Sequence, residues 1–271
     1  MSRGSAPPAA PWALLRGVPD SFRDCVTRRP VALPLDPERA RRQHEAYRQR
    51  LEEGGFSTRL LSTDEAHPDC PFVEDTAVLL AGAALSTRPG HPSRLREVAP
   101  VAEALRAFLP VAALEAPATL DGGDVLRVGR RLFVGVSERT NAAGREALAR
   151  FAGPLGFAVV PVPVQGVLHL KSAATALDED TVLLFPEAVA PAAFDGFRVV
   201  AAEGDDPEAA NVVRLPDGRI LVAAHLPQSA GAVRAAGFTP LACDVSEFAR
   251  ADGGLTCLSL RCCSGLAPAQ P

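Results

Sequence analysis

Cys257 closes the run Asp252-Gly253-Gly254-Leu255-Thr256. A cysteine just after a Gly-Gly turn, at the mouth of a strand, can point its sulfur into a cavity. The alternative is an inert core thiol, as most buried cysteines are. His169 lies in Val167-Leu168-His169-Leu170. If that run is a strand, His169 faces away from the two leucines, and on a cavity wall it could serve as acid and base near neutral pH. Asp121 and Asp124 flank a glycine pair in Asp121-Gly122-Gly123-Asp124, where glycines let the backbone turn. A plain surface turn would use the same residues. Asp69, Glu74 and Asp75 fall in PDCPFVED beside apolar neighbours. Carboxylates partly desolvated there need a cation, and a guanidinium fork matches their geometry. Arg94 and Arg139 each follow a strand or turn and otherwise read as surface arginines. His44, His67, His91 and His225 read as ordinary surface residues.

Bulk properties bound the chemistry. The chain has 271 residues, is 47% hydrophobic and 22% charged, and carries a formal net charge of -4. That is ordinary for a globular chain with a sizeable core. No basic stripe with interleaved aromatics appears, which argues against nucleic acid. No apolar run approaches the roughly 18–20 residues of a membrane span, and no secretory core is seen. These features predict a cytoplasmic protein with a disordered leader, residues 1–11, ahead of a single domain over 12–271. Six cysteines are scattered without C-x-x-C pairs, so neither a disulfide framework nor a structural zinc site is expected. P-loop, G-x-G-x-x-G, H-E-x-x-H and G-x-S-x-G motifs are lacking.

The elements that must position these residues recur. Trp12–Val18 reads as a first strand. Asp36 and Pro37 cap and open a helix, with Ala40, His44, Tyr47 and Leu51 on one face and Gly54-Gly55 as its stop. Strand–turn–strand units start near residues 75, 124, 173 and 211, and a last strand spans Leu255–Cys262. A helix is expected over Arg94–Phe108, with Pro100 tolerated only in its first turn. Another is capped by Asn141 and ended by Gly153-Pro154. Spacings of roughly 40–50 residues signal repeats. One further unit at the N-terminus, paired with the last strand, would close a five-unit α/β ring. A plain α/β sandwich is the rival.

In order along the chain, PDCPFVED, STRPGHPSR, ATLDGGDVL, FVGVSERTN, LHLKS and DGGLTC resemble the dimethylarginine dimethylaminohydrolases, within the guanidino-modifying superfamily that includes the arginine deiminases. The resemblance runs from about Arg16 to Cys257. It implies the pentein fold, an α/β propeller with pseudo-five-fold symmetry. It also implies hydrolysis of methylated arginines to citrulline through a covalent thiouronium on cysteine, with no cofactor and no metal. Residue by residue it makes Cys257 the nucleophile, His169 the proton donor and Asp121 the residue that orients His169. Asp69, Glu74 and Asp75 become ligands of the substrate's cationic groups, and Arg94 and Arg139 binders of its carboxylate. Ala251 stands where a backbone carbonyl takes the α-amino group. The partner is then a small molecule, a methylated arginine, bound by a monomer or homodimer. An arginine deiminase or a non-catalytic binding homologue is the alternative. The lid region Val18–Pro34 and the tail after Cys257 match poorly, and no residue role is carried there.

Overall fold

The computed structural model describes residues 10–28 and 32–262. Most of the expected leader, Cys263 and the rest of the tail lie outside the described residues. Strand β1 (Trp12–Arg16) leads into helix α1 (Pro37–Glu53) and returns parallel to itself as β2 (Ser57–Leu61). Asp36 caps α1 by accepting the N–H groups of Glu38 and Arg39, donors that a helix start leaves free. The helix buries Ala40, His44, Tyr47 and Leu51. His44 is therefore not a surface residue. It packs on Phe248, and burial depresses its imidazole to about 4.

The same unit is then built four more times. An antiparallel hairpin is followed by a crossover and a third, parallel strand: β3 (Ala77–Leu80), β4 (Ala83–Ser86), β5 (Val111–Ala113); β6 (Val125–Val128), β7 (Arg131–Val136), β8 (Ala158–Pro163); β9 (Ala174–Ala176), β10 (Thr181–Leu184), β11 (Arg198–Ala201); β12 (Val213–Arg214), β13 (Ile220–Ala223), β14 (Pro240–Cys243). Parallel pairing requires the crossover. It is helical in three of these units: α2 (Val98–Arg106), α3 (Ala142–Ala152) and α4 (Pro227–Ala235). In the β10–β11 unit it is only a short 3₁₀ turn, Pro191–Phe194, because Pro186 and Pro191 interrupt any longer helix. The expected helix over Arg94–Phe108 divides for a related reason. Pro92–Glu97 forms 3₁₀ turns, and α2 begins at Val98, which leaves Pro100 in its first turn.

The last strand, β15 (Leu260–Cys262), pairs antiparallel with β1, matching Trp12 to Cys262 and Leu14 to Leu260. The C-terminal strand thus supplies the hairpin partner that the first unit lacks. Five three-stranded sheets result, and the fold is the expected five-unit α/β propeller. The inner strands β3, β6, β9, β12 and β15 all line one axial cavity of about 610 Å³. Fully buried side chains such as Leu14, Tyr47, Leu105, Leu132 and Phe133 fill the space between sheets and crossovers. Truncating a leucine of this kind costs about 2–5 kcal/mol.

Candidate active site

Each inner strand is preceded by a 3₁₀ turn, and most of the candidate site residues lie in or beside these five turns. They are Val73–Thr76 before β3, Gly122–Asp124 before β6, Leu170–Ser172 before β9, Pro207–Ala210 before β12 and Thr256–Leu258 before β15. Repetition of the unit therefore brings Glu74, Asp75, Asp121, Asp124, His169 and Cys257 to one end of the propeller. His169 is not on a strand, and Cys257 is not at a strand's mouth. His169 is extended just before its turn, and Cys257 lies inside its own turn, three residues ahead of β15.

His169 is buried between carboxylates. Its Nε2 is 2.9 Å from Asp121 Oδ2, and its Nδ1 is 4.0 Å from Asp75 Oδ1. Burial alone would depress the imidazole, but Asp75, Asp121 and Asp124 outweigh it and push His169 up to about 9. It is an imidazolium at neutral pH. Asp121 also accepts the Gly90 N–H at 2.7 Å, and Arg139 Nη1 approaches it at 3.5 Å. Asp75 accepts the Gly123 N–H at 2.9 Å and pairs with Arg94. Burial would raise Asp75, but His169 and Arg94 prevail and hold it at about 2.

The glycine pair of Asp121–Asp124 has a reason other than the turn expected from sequence. Neither glycine has a left-handed φ. A Cβ on Gly123 would lie 2.8 Å from both Asp75 Oδ1 and His169 Nδ1, and one on Gly122 would lie 2.0 Å from the Glu74 carbonyl. Glycine is required because the neighbouring turns press against the backbone. Gly253 and Gly254 are similar: a Cβ on either would strike Phe72 or Asn211.

Cys257 is partly exposed, and its Sγ accepts the Gly254 N–H at 3.4 Å. Burial in the turn, together with the carboxylates of Glu74 and Asp75, pushes the thiol up to about 12. At neutral pH the two groups are accordingly neutral thiol and imidazolium. Glu74 is buried and accepts from Lys171 Nζ at 2.6 Å and Arg261 Nη2 at 3.3 Å, both through Oε1. Its Oε2 is buried without a hydrogen-bond partner among the described residues.

Arg94 and Arg139 differ. Arg94 is buried and already meets carboxylates of the protein: Nε and Nη2 bind Glu97, and Nη1 binds Asp75. Nη2 also donates to the carbonyls of Asp69 and Phe72. Only one Nη1 hydrogen is left over. Arg139 keeps more of its fork, with the 3.5 Å approach to Asp121 as its ion pair. Asp69 accepts the Val26 N–H, and burial raises its carboxyl. Ala251 is buried one residue before Asp252, which has φ 56° and accepts the Arg28 N–H. Residues Val26 and Arg28 thus strap the poorly matching region Val18–Pro34 across the pocket from Asp69 to Asp252. Residues 29–31 of that region lie outside the described residues.

Sequence reading missed Glu208. It sits in the fourth turn, near Asp206 and Asp252, and burial with those neighbours pushes its carboxyl up to about 8. The repeat offered the signal, since its turn corresponds to those of Asp75 and Cys257. Asp75, Asp121 and His169 also offer ligand atoms within 4.8 Å of one another, a set that could hold a divalent ion. Their partners are already supplied by Arg94, Gly123 and one another, so dialysis against a strong chelator should leave turnover unchanged. Activity lost to the chelator and restored by added metal would overturn that expectation.

The arginine deiminase family model matches residues 111–206. An N(G),N(G)-dimethylarginine dimethylaminohydrolase from Streptomyces coelicolor is 42% identical over 84% of this chain and 87% of its own. A solved structure of the Pseudomonas aeruginosa enzyme, a cysteine-to-serine mutant complexed with citrulline, superposes with a TM-score of 0.87 at 31% identity, over 92% of this chain and 98% of that one. A second, a dimethylarginine dimethylaminohydrolase histidine-to-glycine variant bound as an adduct with S-methyl-L-thiocitrulline, gives the same TM-score, identity and coverage. With 42% identity over 84% of its length to one member and this close superposition on another, the chain belongs to the dimethylarginine dimethylaminohydrolase family.

Proposed function

We propose that the chain hydrolyses Nω-methylated arginines to citrulline and an alkylamine, with Cys257 as nucleophile, His169 as acid and then base, and Asp121 orienting His169. The observation that carries this reading is the buried Glu74 Oε2, which has no hydrogen-bond partner among the described residues, near ionised Asp75 and a thiol held neutral by burial together with both carboxylates. A guanidinium donates to that Glu74 oxygen, and its charge favours the Cys257 thiolate by direct attraction. The thiol proton leaves to solvent as the cation binds.

The thiolate then attacks the guanidinium carbon, forming the S–C bond and a neutral tetrahedral adduct. The C–N bond to the methylated nitrogen breaks with its electron pair on nitrogen, and the His169 imidazolium supplies the proton. A cationic S-alkylthiouronium and free amine result. Water attacks the same carbon and gives a proton to His169, now neutral. The C–S bond breaks with its electron pair on sulfur, and the hydroxyl proton of the adduct passes to that sulfur, releasing citrulline and restoring the neutral Cys257 thiol. Asp69 and the carbonyl of Ala251 take the α-ammonium. Arg139, with the remaining Nη1 hydrogen of Arg94, takes the α-carboxylate. Adducts of a relative with S-methyl-L-thiocitrulline support chemistry at this carbon. No helix among the described residues is long and apolar enough to cross a membrane, and we infer a cytoplasmic enzyme whose ligand is the small molecule alone.

The deciding experiment offers the purified protein asymmetric dimethylarginine, monomethylarginine and arginine, and measures citrulline with the released base. Citrulline with dimethylamine or methylamine, and little ammonia from arginine, is expected. Preferential release of ammonia from arginine would make it a deiminase, and no citrulline from any of the three would leave a binding homologue.

A further inference from the structure

Asp124 is fully buried and is used by none of the steps above. Its two oxygens nevertheless reach three parts of the site. Oδ1 accepts the Leu170 N–H at 3.0 Å, in the peptide that follows His169. Oδ2 accepts the hydroxyls of Ser137 at 2.5 Å and Thr140 at 2.6 Å. Each hydroxyl passes the contact on. Thr140 Oγ1 accepts the Asp121 N–H at 3.2 Å, and Ser137 Oγ accepts the Arg139 N–H at 3.1 Å. The fold also reserves space for this carboxylate. Gly135 on β7 lies so close that a Cβ there would be 2.3 Å from Asp124 Oδ1 and 3.2 Å from Leu170 Cβ.

We propose that Asp124 is the positioning residue of this site, a single buried carboxylate that fixes the backbone of His169, Asp121 and Arg139 relative to one another. The proposal rests on the roles given to those three residues under the proposed function. The argument is one of satisfaction and charge. A buried carboxylate must have donors, and here each donor is the peptide N–H that follows His169 or a hydroxyl that also holds the backbone of Asp121 or Arg139. Charge-assisted bonds are the stronger and geometrically stiffer kind, so one group sets three positions together. Asp124 also adds its charge to those of Asp75 and Asp121 around His169. The cations on these carboxylates are Arg94 on Asp75 and Arg139 on Asp121, while burial raises the Asp124 carboxyl itself against the lowering pull of His169 and its hydrogen-bond donors.

Asp124→Asn tests this. The amide keeps the shape and can still accept from Leu170, but its nitrogen donates where Ser137 and Thr140 need an acceptor. Loss of such supporting contacts typically lowers activity about 10- to 100-fold in metal sites, and a similar fall in kcat is expected here. The alkaline limb of the kcat/KM–pH profile should move to lower pH, because His169 loses one of three carboxylates that keep it protonated. NMR titration of His169 should show the same downward shift. Thr140→Val, which removes one relay and keeps the carboxylate, should lower kcat with a smaller rise in KM and no comparable loss of melting temperature. A melting temperature lowered by Asp124→Asn with the His169 titration, the alkaline limb and kcat at wild-type values would overturn the proposal. So would a Thr140→Val enzyme of wild-type kcat, should Asp124→Asn fail to fold. Absence of methylarginine turnover by the wild type would instead sink the functional reading, and the His169 titration would still decide the role of Asp124.

Discussion

Replacing Cys257 with serine is expected to abolish citrulline formation, a loss of at least about 10³-fold, since removing the nucleophile of such a unit costs nearly everything the unit contributes. A serine hydroxyl ionises far less readily than a thiol, and the site already resists ionisation: burial with Glu74 and Asp75 pushes Cys257 up to about 12. Cys262→Ser should retain activity, because Cys262 is on β15 opposite Trp12, outside the ring of turns. The same is expected of Cys263→Ser. Equal loss from all three would assign Cys257 a structural role. The electrostatics add a second readout. Alkylation of wild-type Cys257 by neutral iodoacetamide should be slow at pH 7 and climb as pH rises toward the thiol's ionisation. A cationic amidine bearing a leaving group brings its own positive charge beside Glu74 and Asp75, and should react rapidly at pH 7. Similar pH dependence for the two reagents would mean that the thiolate is preformed, contradicting ionisation on binding.

Part of this site was legible in the sequence because it is local. The acids of PDCPFVED, the LDGGD tetrapeptide and the DGGLTC turn each keep their chemistry within a few residues, and the hairpin spacing announced the repeat. Closure of the ring was legible too, since the last strand had no other unit to join. What escaped reading depends on groups far apart in the chain. Lys171 reaches Glu74 across 97 positions, and Asn211 reaches Thr256 across 45. His44 was misread because its position on the apolar face of α1 was outweighed by its polarity. The turns at His169 and Cys257 were misread as strand because a 3₁₀ turn of three residues leaves no periodicity to detect. Arg94 could not be distinguished from Arg139, since both stand beside turns and only packing shows that Glu97 and Asp75 occupy the former. The crossover between β10 and β11 lacked its helix for a reason visible in sequence, two prolines, which the repeat pattern had overshadowed.

The two ends of the substrate should separate under substitution of Arg139 and Asp75. Under the proposed function, free dimethylarginine brings a guanidinium to Cys257 and a carboxylate to Arg139, whereas a small alkylamidine brings only the cation. Losing one charged hydrogen-bond partner costs about 1.5–3 kcal/mol. Arg139→Ala should therefore raise KM for dimethylarginine roughly 10- to 100-fold by that magnitude. Arg139 also stands 3.5 Å from Asp121, so its removal leaves that carboxylate, and through it His169, in a more negative setting. The small amidine measures that indirect effect alone, because it has nothing for Arg139 to bind, and its kinetics should change far less. Asp75→Asn acts at the other end. It removes a charge that the bound cation, His169 and Arg94 all share, and should damage both substrates. It also breaks a buried pair with Arg94, which typically costs about 3–5 kcal/mol of stability. Glu97 still holds Arg94 in that variant, so a folded protein with a lowered melting temperature is expected, and kinetics measured well below that temperature isolate the chemical defect. Equal weakening of both substrates by Arg139→Ala would make the arginine a support for Asp121 and not a grip on the carboxylate. In that case the preference for a free amino acid would have to come from Asp69 and the Ala251 carbonyl, and a substrate lacking its α-ammonium would become the informative comparison.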